Sequence, residues 1–175
     1  MNYGVLALLF LMSGFFMKFS DDLYDVNGDV KYASILGVLC GLVSAIAAVN
    51  DVGAAYIFIA IPIGNLLALK VDGIHHILTL AVFVVICLIF GIPGLNILVL
   101  LICILATLSD EVGHERISEV TQNEFWNLFF EYRFVLKIAI FLLACCGAFS
   151  IWTFVCFMIF EMFYVLAGIA FEKIN

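Results

Sequence analysis

Seven apolar stretches set the limits on what this chain can become: residues 3–18, 32–49, 53–69, 75–90, 94–108, 134–150 and 151–170. They are too long for strands and lack period-two alternation, so helices are the only element able to span a membrane here. With 66% hydrophobic and 12% charged residues in 175, no soluble domain could bury the apolar surface. The expected architecture is an all-α integral membrane protein, a single domain over 1–175 with a bundle of about seven transmembrane helices. Several stretches fall short of the ~20 residues that cross a bilayer comfortably. Their helices are expected to run into flanking polar residues or to sit in a locally thinned bilayer. The first stretch lacks a basic start and an A-x-A site, and reads as a retained helix rather than a signal sequence. The boundary between the last two falls near Gly147 and Ser150.

The basic residues give an orientation. With seven spans, Lys18, Lys31, Lys70, Arg116, Arg133, Lys137 and Lys173 all fall on one side. The other side carries the N-terminus, Asn50–Asp51, Gly91–Gly94 and the turn near Ser150, with no basic residue. The positive-inside rule then predicts a multi-pass protein with its N-terminus outside and its C-terminus in the cytoplasm. A net charge of −7 argues against nucleic acid or an anionic lipid surface as the main partner. Six cysteines lie inside apolar stretches without a C-x-x-C pair, which marks them as small core hydrophobes rather than zinc ligands or a disulfide framework.

The longest connection, about residues 109–133, places Ile117, Val120, Phe125, Leu128 and Phe129 at near-helical spacing between polar residues. This predicts an amphipathic helix near 117–130 lying on the inner face, either as an anchor or as a lid over a polar cavity. The aromatics Phe125, Trp126, Phe129, Phe130 and Tyr132 suit that depth.

Two acidic clusters lie at the inner ends of the first and fifth stretches. The first holds Asp21, Asp22, Asp25 and Asp29. The offsets of three and seven from Asp22 put three carboxylates on one helical face, where hard oxygen ligands suit Mg²⁺ against a substrate's phosphates. The alternative is a solvated acidic loop with a turn at Asn27–Gly28. The second holds Asp110, Glu111 and Glu115, with His114, Arg116 and Glu119 beside them. It is either a second cation site or a wet helix start favoured by the helix dipole. Asn65 lies inside the third stretch, where an amide usually faces the bundle interior. Lys70, Asp72, His75 and His76 gather at the inner ends of the third and fourth helices, with Lys70 able to meet a phosphate and the histidines able to act as acid or base. They serve equally well as interfacial polar residues that end two helices. Glu161 sits deep in the last stretch, where a lone carboxylate is costly.

The run Asp21-Asp22-Leu23-Tyr24-Asp25-Val26-Asn27-Gly28-Asp29 resembles the N-D-x-x-D-x-x-x-D motif of UbiA-type intramembrane prenyltransferases, with Asp21 in the asparagine position. In that family a second motif, K-D-x-x-D-x-x-G-D-R, ends the helix four further on. His114-Glu115-Arg116 is similar to its G-D-R end and Glu111 falls on its middle aspartate, while Thr107 and Leu108 stand where its lysine and first aspartate would be. Ile63-Gly64-Asn65-Leu66 resembles a G-N element of the family. The resemblance covers about residues 15–120 and implies a short, diverged member lacking the family's first and last helices. It implies Mg²⁺ held by Asp22, Asp25, Asp29, Glu111 and Glu115, with Asn65, Lys70 and Arg116 helping to bind an isoprenyl diphosphate. Asp22, Asp25, Lys70 and Glu111 would then support transfer of the prenyl group to an aromatic or lipid acceptor.

Other functions fit part of the same pattern. KFSDDLYD resembles the aspartate pair of polyprenyl-phosphate sugar-phosphate transferases, though those enzymes are larger and their later motifs have no convincing match here. Glu161, Asn65 and the acidic inner mouth are also what a cation path would need. A structural subunit would need none of these acids at fixed spacing.

Overall fold

The computed structural model describes residues 1–71, 73–120 and 122–174, and of Ser118 and Glu119 the backbone only. Asp72 and the Glu119 side chain, both named from the sequence, lie outside the described residues. The described chain forms eight helices: α1 (Tyr3–Asp25), α2 (Val30–Asn50), α3 (Val52–Leu67), α4 (Ile74–Phe90), α5 (Ile97–Val120), α6 (Glu124–Glu131), α7 (Phe134–Cys145) and α8 (Ile151–Ile174). Seven follow the apolar stretches. The helix starts are written in the sequence. Asn2, Asp29 and Asp51 each precede a helix and accept a hydrogen bond from a first-turn amide, at 2.8, 3.1 and 2.8 Å. Gly91 and Gly147 end α4 and α7 at φ +77°, a conformation that glycine adopts without steric cost.

Four helices are long and apolar enough to cross a membrane by length and composition: α1, α2, α5 through Ile117, and α8. The others, α3, α4 and α7, have 16, 17 and 12 residues. At 1.5 Å per residue, 16 residues rise roughly 24 Å, less than the ~30 Å hydrocarbon core. Large apolar side chains cover the outside. Leu101, Leu105, Phe141, Leu142 and Leu166 are all exposed in mid-helix, a surface suited to lipid rather than water.

Small residues let the helices pack closely. A Cβ on Gly41 of α2 would lie 2.4 Å from the Thr79 carbonyl oxygen of α4, and one on Gly37 would lie 2.8 Å from that of His75. The two glycines are four apart on one face, the small-xxx-small spacing that allows backbones to meet. Gly14 likewise admits the Phe160 backbone, so α1 and α8 run side by side. Tyr3 meets Trp152 near one end of that pair, and Phe19 meets Phe171 near the other. Both helices therefore run in the same direction. Gly64 packs on Thr107, and Tyr56 accepts a hydrogen bond from the Asn96 amide, which sets α3 parallel to α5. The Ser20 hydroxyl donates to the Ala33 carbonyl across α1 and α2, which are antiparallel. The C-terminal ends of α1, α3, α5 and α8 thus meet the starts of α2, α4 and α7.

The stretch expected to form one amphipathic helix near 117–130 is divided. Residues 117–120 continue α5, and a separate helix, α6, begins after Asn123, whose side chain accepts from the Phe125 amide at 2.9 Å. The new cap is the physical reason for the division. α6 folds back on α5 through Phe130, whose ring lies over Gly113 and leaves no room for a Cβ there.

Candidate functional site

That end of the bundle surrounds a cavity with about 860 Å³ of empty space, including its open mouth. Its deeper wall is apolar, formed by Met17, Phe58, Ile61, Leu80 and Phe83. Its polar end carries Asp21, Asn65, Lys70, His75, His76 and Arg133, with Tyr164 beside them. A smaller cavity of about 400 Å³ adjoins it, sharing Met17, Ile61, Asn65, Arg133 and Tyr164 and adding Asp110, Glu111 and Glu161.

Four of the seven Lys and Arg residues have a defined carboxylate. Lys70 reaches Glu115 at 2.7 Å, Arg133 reaches Glu111 at 3.1 Å, Lys137 reaches Glu161 at 2.8 Å, and Lys18 reaches Asp22 at 2.8 Å. Lys18 and Arg133 also approach the Tyr164 ring, at 5.8 and 5.7 Å from its centre. Burial works against the Arg133 guanidinium. Tyr164, Glu111 and Glu161 outweigh it and raise its pKa above the ordinary arginine value, so the group stays cationic.

Local backbone geometry aims Lys70. The end of α3 is closed by two hydrogen bonds, from the Lys70 amide to the Asn65 carbonyl at 2.9 Å and from the Leu69 amide to the Leu66 carbonyl at 3.1 Å. Leu69 takes φ +60° between them, the left-handed position of a Schellman cap that glycine usually fills. The chain turns back there, and Lys70 faces the cavity.

The residues named from the sequence divide into three groups. Asn65 and Lys70 line the main cavity, and Asn65 and Glu111 line the smaller one. The buried Asn65 Oδ1 has no hydrogen-bond partner among the described residues. Glu115 sits outside on Lys70, while Arg116 is exposed. Of the first cluster, Asp22 turns to Lys18, Asp25 is exposed at the end of α1, and Asp29 caps α2. The five carboxylates Asp22, Asp25, Asp29, Glu111 and Glu115 therefore do not converge on one point. The acid of the first cluster that faces the cavity is Asp21. Its Oδ1 lies 3.3 Å from His75 Nε2 and 3.8 Å from His76 Nε2.

Asp110 is only 1% exposed, and both of its carboxylate oxygens are engaged. It accepts from the amides of Val135 at 3.0 Å and Leu136 at 2.7 Å, capping α7 from α5. α7 has no cap of its own, because the preceding residue is Arg133 in a left-handed conformation without a side-chain cap bond.

Sequence reasoning did not single out Arg133 or Tyr164 as site residues. The available signals were a lone arginine before an apolar helix and a tyrosine one helical turn after Glu161. Glu161, whose partner the sequence left unnamed, is held by Lys137. In comparisons with known proteins, the chain matches no family model, no curated protein and no solved structure.

Proposed function

We propose that this chain binds an amphiphile with a phosphate or diphosphate head, an isoprenyl diphosphate in particular, within the membrane at the cytoplasmic ends of its helices. One observation carries the proposal. The chain is acidic overall, yet two of its seven Lys and Arg and two of its three His line the main cavity, against one of its fourteen acids among the described residues. An anionic head fits beside Lys70 and Arg133, where the charged donors favour phosphate oxygens. The apolar wall from Met17 to Phe83 fits the tail. Glu115 and Glu111 hold the two cations in place and share them with the head.

All seven apolar helices cross the bilayer in this proposal, with the N-terminus outside and the seven basic residues inside. The three short ones are accommodated by local thinning. Mg²⁺ enters as the counter-ion that a diphosphate carries rather than as an ion in a dedicated carboxylate cage. Transfer of the prenyl group to an aromatic or lipid acceptor is what the resemblance to the UbiA-type family adds. A cation path through Glu161 is disfavoured by its pairing with Lys137.

The test is binding of geranylgeranyl diphosphate to the detergent-purified protein in the presence of Mg²⁺. A charged hydrogen bond is worth about 1.5–3 kcal/mol, so Lys70→Ala is expected to weaken binding about tenfold or more. Asp25→Ala, on an exposed residue, is expected to change it little. Absence of binding to folded wild-type protein would overturn the proposal. Loss in Asp22→Ala and Asp25→Ala with none in Lys70→Ala would move the head to the outer carboxylates and overturn its placement in the cavity.

A further inference from the structure

Among the described residues, Asp21, His75 and His76 form the one group of three or more His, Cys, Asp and Glu with donor atoms near enough to share an ion, all within 4.8 Å of one another. Both Nε2 atoms approach the same carboxylate oxygen, at 3.3 and 3.8 Å. These separations are long for charge-assisted hydrogen bonds, which run at about 2.7–2.9 Å. They suit ligands of one ion instead. Two donors bound at about 2.0–2.2 Å to a tetrahedral centre lie roughly 3.3–3.5 Å apart.

The group is also held rigidly. His75 is 2% exposed, its ring packs on Tyr24 with centres 4.5 Å apart, and its Nδ1 lies where a Cβ on residue 73 would be. That Nδ1 has no hydrogen-bond partner, so the approach to Asp21 is the polar contact that the His75 ring makes. His76 lies beside it, with ring centres 3.9 Å apart and the planes tilted by 38°. Asp21 comes from α1 and the histidines from the first turn of α4, so the group depends on tertiary packing.

We propose that Asp21, His75 and His76 bind a divalent transition metal of the Zn²⁺ class, with three protein ligands and the remaining position open to the cavity. Imidazole nitrogen selects zinc, cobalt, nickel or iron, whereas Mg²⁺ prefers oxygen. Three ligands with one open position is the arrangement of a catalytic rather than a structural zinc site. Asn65, Lys70 and Arg133 line the cavity onto which that open position faces.

The inference does not require the diphosphate proposal, because the metal is assayed alone. Chelator-treated protein in detergent is titrated with Co²⁺, read by the visible ligand-field bands, and Zn²⁺ is then used to displace it. One ion per chain is expected, with Mg²⁺ in large excess failing to compete. His76→Gln and Asp21→Asn are each expected to weaken binding at least tenfold, and Asp25→Asn to leave it unchanged. His76 is half-buried, so its replacement spares the His75 packing, and circular dichroism verifies that each variant is folded. Absence of stoichiometric Co²⁺ or Zn²⁺ binding by folded wild-type protein would overturn the inference. Wild-type affinity in both folded variants, or displacement by equimolar Mg²⁺, would do the same.

Discussion

Asp110→Ala is a direct test of how the second half of the bundle is held. The carboxylate is buried and accepts from two amides at the start of α7, 25 and 26 residues further along the chain. α7 is only 12 residues long and has no local cap, so nothing nearby can replace the lost acceptor. Losing an N-cap costs about 1–2 kcal/mol. Leaving a buried donor without a partner costs about 1–3 kcal/mol. These terms overlap, so the total expected is about 2–4 kcal/mol, a factor of roughly 30 to 1,000 in the unfolding equilibrium. Each kcal/mol lowers Tm by about 2–4 °C in a chain of this size. Thermal unfolding in mild detergent measures the total, and hydrogen exchange at Val135 and Leu136 localises it. Asp110→Asn, which keeps one carbonyl acceptor, should fall between wild type and alanine. A change below about 0.5 kcal/mol, the range of ordinary surface substitutions, with exchange at both amides unaltered, would refute the capping role.

The Lys137–Glu161 pair should respond in the manner of a buried ion pair, since the two side chains are only 12% and 17% exposed. Glu161→Gln alone is expected to cost about 3–5 kcal/mol, while the double change Lys137→Met with Glu161→Met recovers most of it in the same unfolding assay. Equal losses in the single and double variants would show that the pair's charges are not what matters. Leu69→Gly should raise stability by about 1 kcal/mol, because it relieves a left-handed non-glycine residue at φ +60°. Geranylgeranyl diphosphate binding should be unchanged, and a fall in stability would show that Leu69 contributes more by its side chain than it costs in its backbone.

Hydropathy alone was enough to mark the seven apolar helices, because the apolar runs and their polar breaks are local properties. The caps Asn2, Asp29 and Asp51 that start three of the helices are equally local, although Asp29 was expected to hold a metal. The amphipathic stretch near 117–130 was less legible. Its apolar spacing is compatible with one continuous helix or two, and the cap at Asn123 decides for two. The basic residues could be assigned to one end of the bundle, since alternating helices leave them no other arrangement. What the sequence could not fix is the rotation of each helix about its axis. Neighbouring residues on a helix point about 100° apart. The spacing put Asp22 rather than Asp21 on the expected metal face, yet Asp21 faces the histidines and Asp22 faces Lys18. The partners of each charge were equally hidden. Arg133 meets Glu111 and Lys137 meets Glu161 across 22 and 24 residues of chain. Asp110 became a cap because the start of α7 packs against it. Spacing along the chain determined which helices form and which end of each is polar. Only packing, which sets every helix's rotation against its neighbours, decided which of those polar groups meet.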